Sequence, residues 1–272
     1  MGRRARDFRA WARLPKQHDA LGRKETEQRY GVITHFAYDA AGNVTEVTRT
    51  GTNGVASTLK GMGYDLAGQL TAETNALSGV TTHAYSFDSG NGTRVVTTTY
   101  ADGGMRIENY YVDGQLAKVT GTATSPIRYE YGVEQDGSTW RSYTKEIKLD
   151  ANYNDTSEWT KTYVDMLGRS YKTVFAASAT PYPYRQSFFN NKGQLGKERD
   201  PDGIVTLCAY NARGERDYTV VDLNQNDAID WGGTDRITLI TNDVTTYSGA
   251  NVRRSRTIVY TNDNAPWWSP TR

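Results

Sequence analysis

The chain has one cysteine, Cys208, so no disulfide can close within it and no cysteine-based zinc site can form. Proline is sparse at 7 of 272 residues. No stretch approaches the ~18 apolar residues of a membrane-spanning helix. An excess of either charge is missing too. The 32 basic and 31 acidic residues leave +1, which gives no electrostatic case for nucleic acid or an anionic membrane. The basic start, MGRRARDFRAWARLPKQ, lacks the apolar stretch of a secretory signal. A short amphipathic helix and a frayed start both fit a tail over residues 1–16. Histidine is limited to His18, His35 and His83, each at a repeat position described below. There is no Gly-x-Ser-x-Gly elbow and no Walker loop. The chain is therefore read as non-catalytic, with Cys208 an ordinary strand residue. A hydrolase hidden in the irregular stretch around 115–160 is kept as an alternative.

What the chain has is Tyr (19 residues), Gly (26) and many Thr, a composition of short strands joined by tight turns. One phrase recurs: an aromatic, Asp or Asn, two free residues, then Gly. It occurs as Tyr38-Asp39…Gly42, Tyr64-Asp65…Gly68, Phe189-Asn190…Gly193 and Tyr210-Asn211…Gly214. Looser copies are His18-Asp19…Gly22 and Tyr163, one place early, before Asp165…Gly168. "YYVDGQL" reads as a contraction that keeps Tyr111, Asp113 and Gly114. Anchor spacings of 20, 26, 25 and 21 residues indicate an array of small supersecondary units. The Asx side chain accepts from the backbone two residues on, and the Gly takes the left-handed conformation, so each phrase predicts a hairpin corner. A second phrase precedes the first: Gly31…Thr34…Tyr38 and Gly203…Thr206…Tyr210 have identical offsets, and Gly79…Thr82…Tyr85 is one residue shorter. In the first, Val32, Thr34, Phe36 and Tyr38 share one strand face.

Together the two phrases resemble the YD repeat of the Rhs family, which includes bacterial Rhs proteins, Tc toxin C components and teneurins. The resemblance covers about residues 17–221, is closest at 31–44 and 203–214, and fades across 86–160. It implies an all-β fold, with repetitive antiparallel hairpins forming a curved, open segment of a β-shell. In bacteria such a shell encloses a C-terminal toxin; in teneurins it belongs to an extracellular adhesion ectodomain. Family shells are longer, so the chain is expected to be a piece of one. Its partners would then be the remaining repeats and effector domain of a secreted or cell-surface parent.

Residues 222–272 depart from the repeat. Asp222, Asn224, Asn226, Ala228 (through its carbonyl) and Asp230 stand at offsets 1, 3, 5, 7 and 9, the spacing of a Ca²⁺ loop, with Asp235 further on. Asp227 occupies the place of the turn glycine, and Gly233 that of the bidentate Glu. An Asx-rich turn and a Ca²⁺ site are both consistent with this stretch. No other cofactor is expected. Aromatics beside prolines, Tyr182 and Tyr184 with Trp267 and Trp268, offer a platform for cell-surface glycans. Packing against a neighbouring repeat explains them equally well.

Overall fold

The computed structural model describes residues 16–260 apart from 91, 232 and 234. The N-terminal tail and the Trp267–Trp268 pair lie outside these. Among the described residues there are twenty strands and no helix, and the paired strands run antiparallel. The fold is all-β. Two compact units divide the chain, the first ending at Ile127 and the second starting at Arg128.

The first unit is a meander in which each strand pairs with the next. Its strands are β1 (Lys16–His18), β2 (Lys24–Arg29), β3 (Val32–Tyr38), β4 (Val44–Thr50), β5 (Ala56–Tyr64), β6 (Leu70–Asn75), β7 (Val80–Asp88), β8 (Thr93–Thr99), β9 (Met105–Tyr110) and β10 (Leu116–Thr120). Most strand residues are neither fully buried nor fully exposed, the signature of a sheet with no second layer. Long cations take the place of that layer. Lys24 lies over the Phe36 ring at 4.3 Å, Arg23 over Tyr38 at 4.5 Å and Arg94 over Tyr110 at 4.2 Å. Their alkyl stems cover aromatic surface while the charged heads stay wet.

The second unit repeats the plan. β11 (Ile127–Asp136) opens it, and its ladder runs through β12 (Thr139–Leu149), β13 (Asp155–Val164), β14 (Ser170–Phe175), β15 (Tyr184–Phe189), β16 (Leu195–Arg199), β17 (Val205–Tyr210), β18 (Arg216–Asp222), β19 (Arg236–Tyr247) and β20 (Ala250–Tyr260). It differs in having a small core: Val205, Leu207, Val220 and Ile237 are buried together, with Tyr218, Ile229 and Tyr260 packed against them. Ile229 comes from the β18–β19 loop, which folds back over the sheet. Trp231 of the same loop sits edge-on to Tyr218 (5.2 Å) and Tyr260 (5.3 Å). This loop supplies a second layer over the cluster; Ile147, Leu149 and Tyr163 are buried elsewhere in the same unit.

Candidate functional site

The recurrent phrase builds one kind of corner. At 65–69, Asp65 N–H donates to the Gln69 carbonyl at 3.0 Å, and Gly68 N–H donates back to the Asp65 carbonyl at 3.0 Å. Asp65 Oδ1 accepts from Ala67 N (2.9 Å) and Gln69 N (2.8 Å). Gly68 has φ +77°, and the register slips between Gly63 and Tyr64, as a three-residue loop ending in a bulge requires. The same pair of backbone bonds closes the turns that begin at Asp19, Asp39, Asp165, Asn190 and Asn211. It also closes turns with no Asx in first place. In the turns from Tyr100 and Tyr111, Asp102 and Asp113 stand two residues on, and each Oδ1 accepts the second following amide at 2.9 Å. The stretch at 111–115 that reads as a contraction is thus a full-length turn with its acid moved two places. In the irregular segment, Asp150 heads the same turn and Tyr153 takes the left-handed position at φ 64°.

The tyrosine and the residue after the glycine have a second task. Tyr38 Oη donates to the Lys24 carbonyl at 2.8 Å, Tyr64 to Val44 at 3.0 Å, Tyr85 to Leu70 at 2.9 Å and Tyr210 to Leu195 at 2.9 Å. Each acceptor is the second residue after the glycine of the preceding turn on the same rim. The residue directly after the glycine reaches the other way. Arg23 grips Asp19 Oδ2 through Nε at 2.6 Å and donates to the Asp39 carbonyl at 3.3 Å. Arg169 pairs with Asp165 (2.7 Å), donates to the Gly193 carbonyl (3.4 Å) and lies over the Phe189 ring (4.0 Å). Gln194 donates to the Gly214 carbonyl at 3.1 Å. The rim is therefore a row of turns stitched laterally by the residues flanking each Asx and Gly.

The Asp39 and Asp165 carboxylates are held as anions by this geometry. Asp39 lies below its ordinary range because the Asn43 side chain and backbone donate to it, and Asp165 because of the Arg169 amide and guanidinium. They do not converge. A hollow of about 460 Å³ is lined by Glu27, Arg29, Val32, Thr34 and Arg49, and one of about 220 Å³ by Glu146, Lys148, Glu158, Trp159, Thr160, Phe175 and Ala176. None of the turn aspartates lines either.

Tyr163, one place early in its phrase, faces away from the rim. It donates to Glu134, which also takes Lys161 Nζ at 3.0 Å. Two residues along β11, Asp136 accepts Tyr171 Oη at 2.6 Å and Lys172 Nζ at 2.6 Å. The register slip at Tyr163/Val164 leaves Tyr171 unpaired in the ladder, so it reaches the same acceptor as its neighbour Lys172. Burial pushes both carboxyls up, but donation from Tyr and Lys outweighs it and leaves both below the usual range. Burial and the adjacent carboxylates push both phenols up. This network was invisible in the sequence: its partners lie 27–36 residues apart, and no local spacing marks them.

In the 222–235 loop, Asp222 and Asp235 are 1% and 2% exposed. Asp222 accepts the amides of Asn226 (3.3 Å) and Asp227 (2.8 Å), and Asp235 those of Leu223 (3.2 Å) and Asp230 (3.0 Å). Asn224 and Asn226 both point Nδ2 at Asp230 Oδ2, at 2.6 and 2.8 Å. Asn226 Oδ1 takes the Ala228 amide at 2.9 Å, and Asp227, in the glycine's place, adopts φ 63°. The side-chain oxygens of Asp222, Asn226 and Asp235 and one oxygen of Asp230 are thus engaged by the loop's own donors. Among the described residues, no three His, Cys, Asp or Glu side chains are gathered to hold a metal. Of the aromatic platform, Tyr182 packs edge-on to Trp159 at 5.0 Å, and Tyr184 lies under Lys172 (5.0 Å) and Arg199 (4.3 Å). Cys208 is half-buried, 3.5 Å from Arg216 Nη1.

No family model and no curated protein matches the chain. Among solved structures it is similar to a TcdB2-TccC3-Cdc42 crystal structure at 14% identity and TM-score 0.37, covering 90% of this chain and 15% of that one. A TcdB2-TccC3-TEV structure matches at 14% identity and TM-score 0.36, over 92% and 16%. TcdB2-TccC3 without its hypervariable C-terminal region matches at 13% and 0.35, over 93% and 16%. The chain spans about a sixth of those chains. Likeness at this level carries no functional argument. Among the described residues no helix is long and apolar enough to cross a membrane.

Proposed function

We propose that the chain is a non-catalytic wall segment of a longer YD-repeat protein, part of a β-shell of the kind that in bacterial Rhs proteins encloses a C-terminal toxin. One observation carries this reading: the recurrent Asp and Asn residues are spent on closing turns, and the recurrent Tyr on tying each turn to the one before. A ladder stitched this way extends by repetition and leaves its acids dispersed along a rim. A parent protein acting outside the cell, secreted or at its surface, follows from the same family resemblance. Glycan binding is the second reading. The neighbours of Tyr182 and Tyr184 favour packing over a free platform.

Trypsin digestion of the longer protein, with and without residues 17–221, is the test. A wall segment predicts that its deletion exposes the enclosed C-terminal segment to cleavage. Equal resistance in both forms contradicts the proposal.

A further inference from the structure

The hollow of about 460 Å³ in the first unit is built on three successive strands. The register sets Glu27 of β2, Thr34 of β3 and Arg49 of β4 in one row, and Arg29 opposite Val32 in the next. Strand alternation puts all five side chains on one face of the sheet. Their charges do not cancel. Glu27 accepts Lys24 Nζ on Oε2 at 2.9 Å and Arg29 Nε on Oε1 at 3.2 Å, and this donation holds its carboxyl below the ordinary range. Arg49 is exposed and has no ion-pair partner among the described residues. Three cations thus stand around one acid, in a chain whose total charge is +1. Residues 1–15, outside the described residues, add five arginines against the single acid Asp7, so their charge does not offset this surplus.

We propose that this hollow binds a sugar acid, with its carboxylate held by Arg29 and Arg49 and its hydroxyls by Thr34 and Glu27. The site shares no residue with the aromatic pair Tyr182 and Tyr184. Its volume falls in the ~300–1,000 Å³ range of small-molecule sites. Guanidinium forks match a carboxylate through two parallel hydrogen bonds. Glu27 narrows the class. It repels a doubly charged phosphate more strongly than a singly charged carboxylate, and it accepts from hydroxyl groups. The Thr34 hydroxyl both donates and accepts. A nucleic-acid backbone needs a run of cations, and this hollow presents one pair of arginines. The Arg29 side chain is 70% exposed, so the site is open and a dissociation constant on the order of 1 mM is expected.

The test titrates the whole chain with glucuronate, glucose and inorganic phosphate, read by the amide resonances of residues 27–34 and 47–51. The expected result is saturable shifts with glucuronate, none with glucose, and weaker binding of phosphate. Arg49→Gln, at an exposed position, should weaken glucuronate about tenfold and leave the melting temperature unchanged. Glu27→Gln should raise the affinity for phosphate relative to glucuronate, a ratio that a loss of folded protein would not move. Equal binding of the methyl glycoside of glucuronate assigns the ligand to a glycan end, and binding of glucuronate alone assigns it to the free acid. Glucose binding as tightly as glucuronate, phosphate binding more tightly, no shift with any probe, or an Arg49→Gln variant with full affinity overturns the proposal.

Discussion

The two units use the same turn, yet they are held together differently. Among the described residues of the first, burial is confined to Val119, Thr98 and Thr120, and the ladder stands on turn closure, tyrosine ties and cation-covered aromatics. In the second, the 223–235 loop lays Ile229 and Trp231 over β17–β19 and creates a small dry core around Val220 and Ile237. The contrast teaches that the repeat is self-sufficient as a single layer. Among the described residues, the buried cluster of Val205, Leu207, Val220 and Ile237 lies where a non-repeat insertion covers the sheet, while Val119, Ile147, Leu149 and Tyr163 are buried singly elsewhere.

The largest effect that can break this comparison comes from the core. Ile237→Ala should cost about 2–5 kcal/mol in the second unit. Hydrogen exchange resolved by unit should show that loss beyond Arg128 and little change before Ile127; equal losses on both sides would erase the distinction. Next come the buried loop carboxylates. Asp222→Ala or Asp235→Ala leaves backbone amides of the loop without acceptors, at about 1–3 kcal/mol each. Trp231 fluorescence should report the loop lifting from Tyr218. If the loop were instead organised by Ca²⁺, adding the ion would raise the melting temperature of the native chain and EDTA would lower it. The hydrogen-bonded loop predicts neither.

Smaller effects sharpen the account of the rim. Tyr38→Phe or Tyr210→Phe removes one phenol-to-carbonyl bond, about 0.5–1.5 kcal/mol by denaturant titration. A neutral result at both sites would reduce the ties to crystal-like decoration. The carboxylates set the pH dependence. Asp39, Asp165, Glu134 and Asp136 all sit below their ordinary values when folded. Their contribution is present above the unfolded values near ~4 and is lost as pH falls through the folded ones. Stability should therefore hold level from neutral pH down to about 5 and then drop. A decline that begins nearer pH 6.5 would contradict this account of the carboxylates.

How much of this the sequence discloses follows from the range of each interaction. Asp65 and Gly68 are legible as a corner because every bond they make closes within four residues. The strand face shared by Thr34, Phe36 and Tyr38 is legible from alternation alone. The tie from Tyr38 to Lys24 is not, because it spans 14 residues and depends on the strand register. Tyr163 misleads for a related reason. Moving it one place changes its face, and so its partner becomes Glu134 instead of a rim carbonyl. The 222–235 loop shows its Asx residues plainly, but spacing does not reveal whether their oxygens face a cation or the loop's own amides.

The most direct measurement is the thermal stability of Asp39→Asn, Asp65→Asn and Asp165→Asn beside the matching Ala variants. Asn keeps the Oδ1 acceptor that closes the corner, as Asn190 and Asn211 already do. Asp65→Asn should therefore stay within about 0.5 kcal/mol of the parent, while each Ala variant loses about 1 kcal/mol; Asp39→Asn and Asp165→Asn, which turn an amide donor toward Asn43 and Arg169, should fall between the two. Asn variants as damaging as Ala would show that the negative charge itself is needed there, and would contradict the reading of these residues as turn-closers.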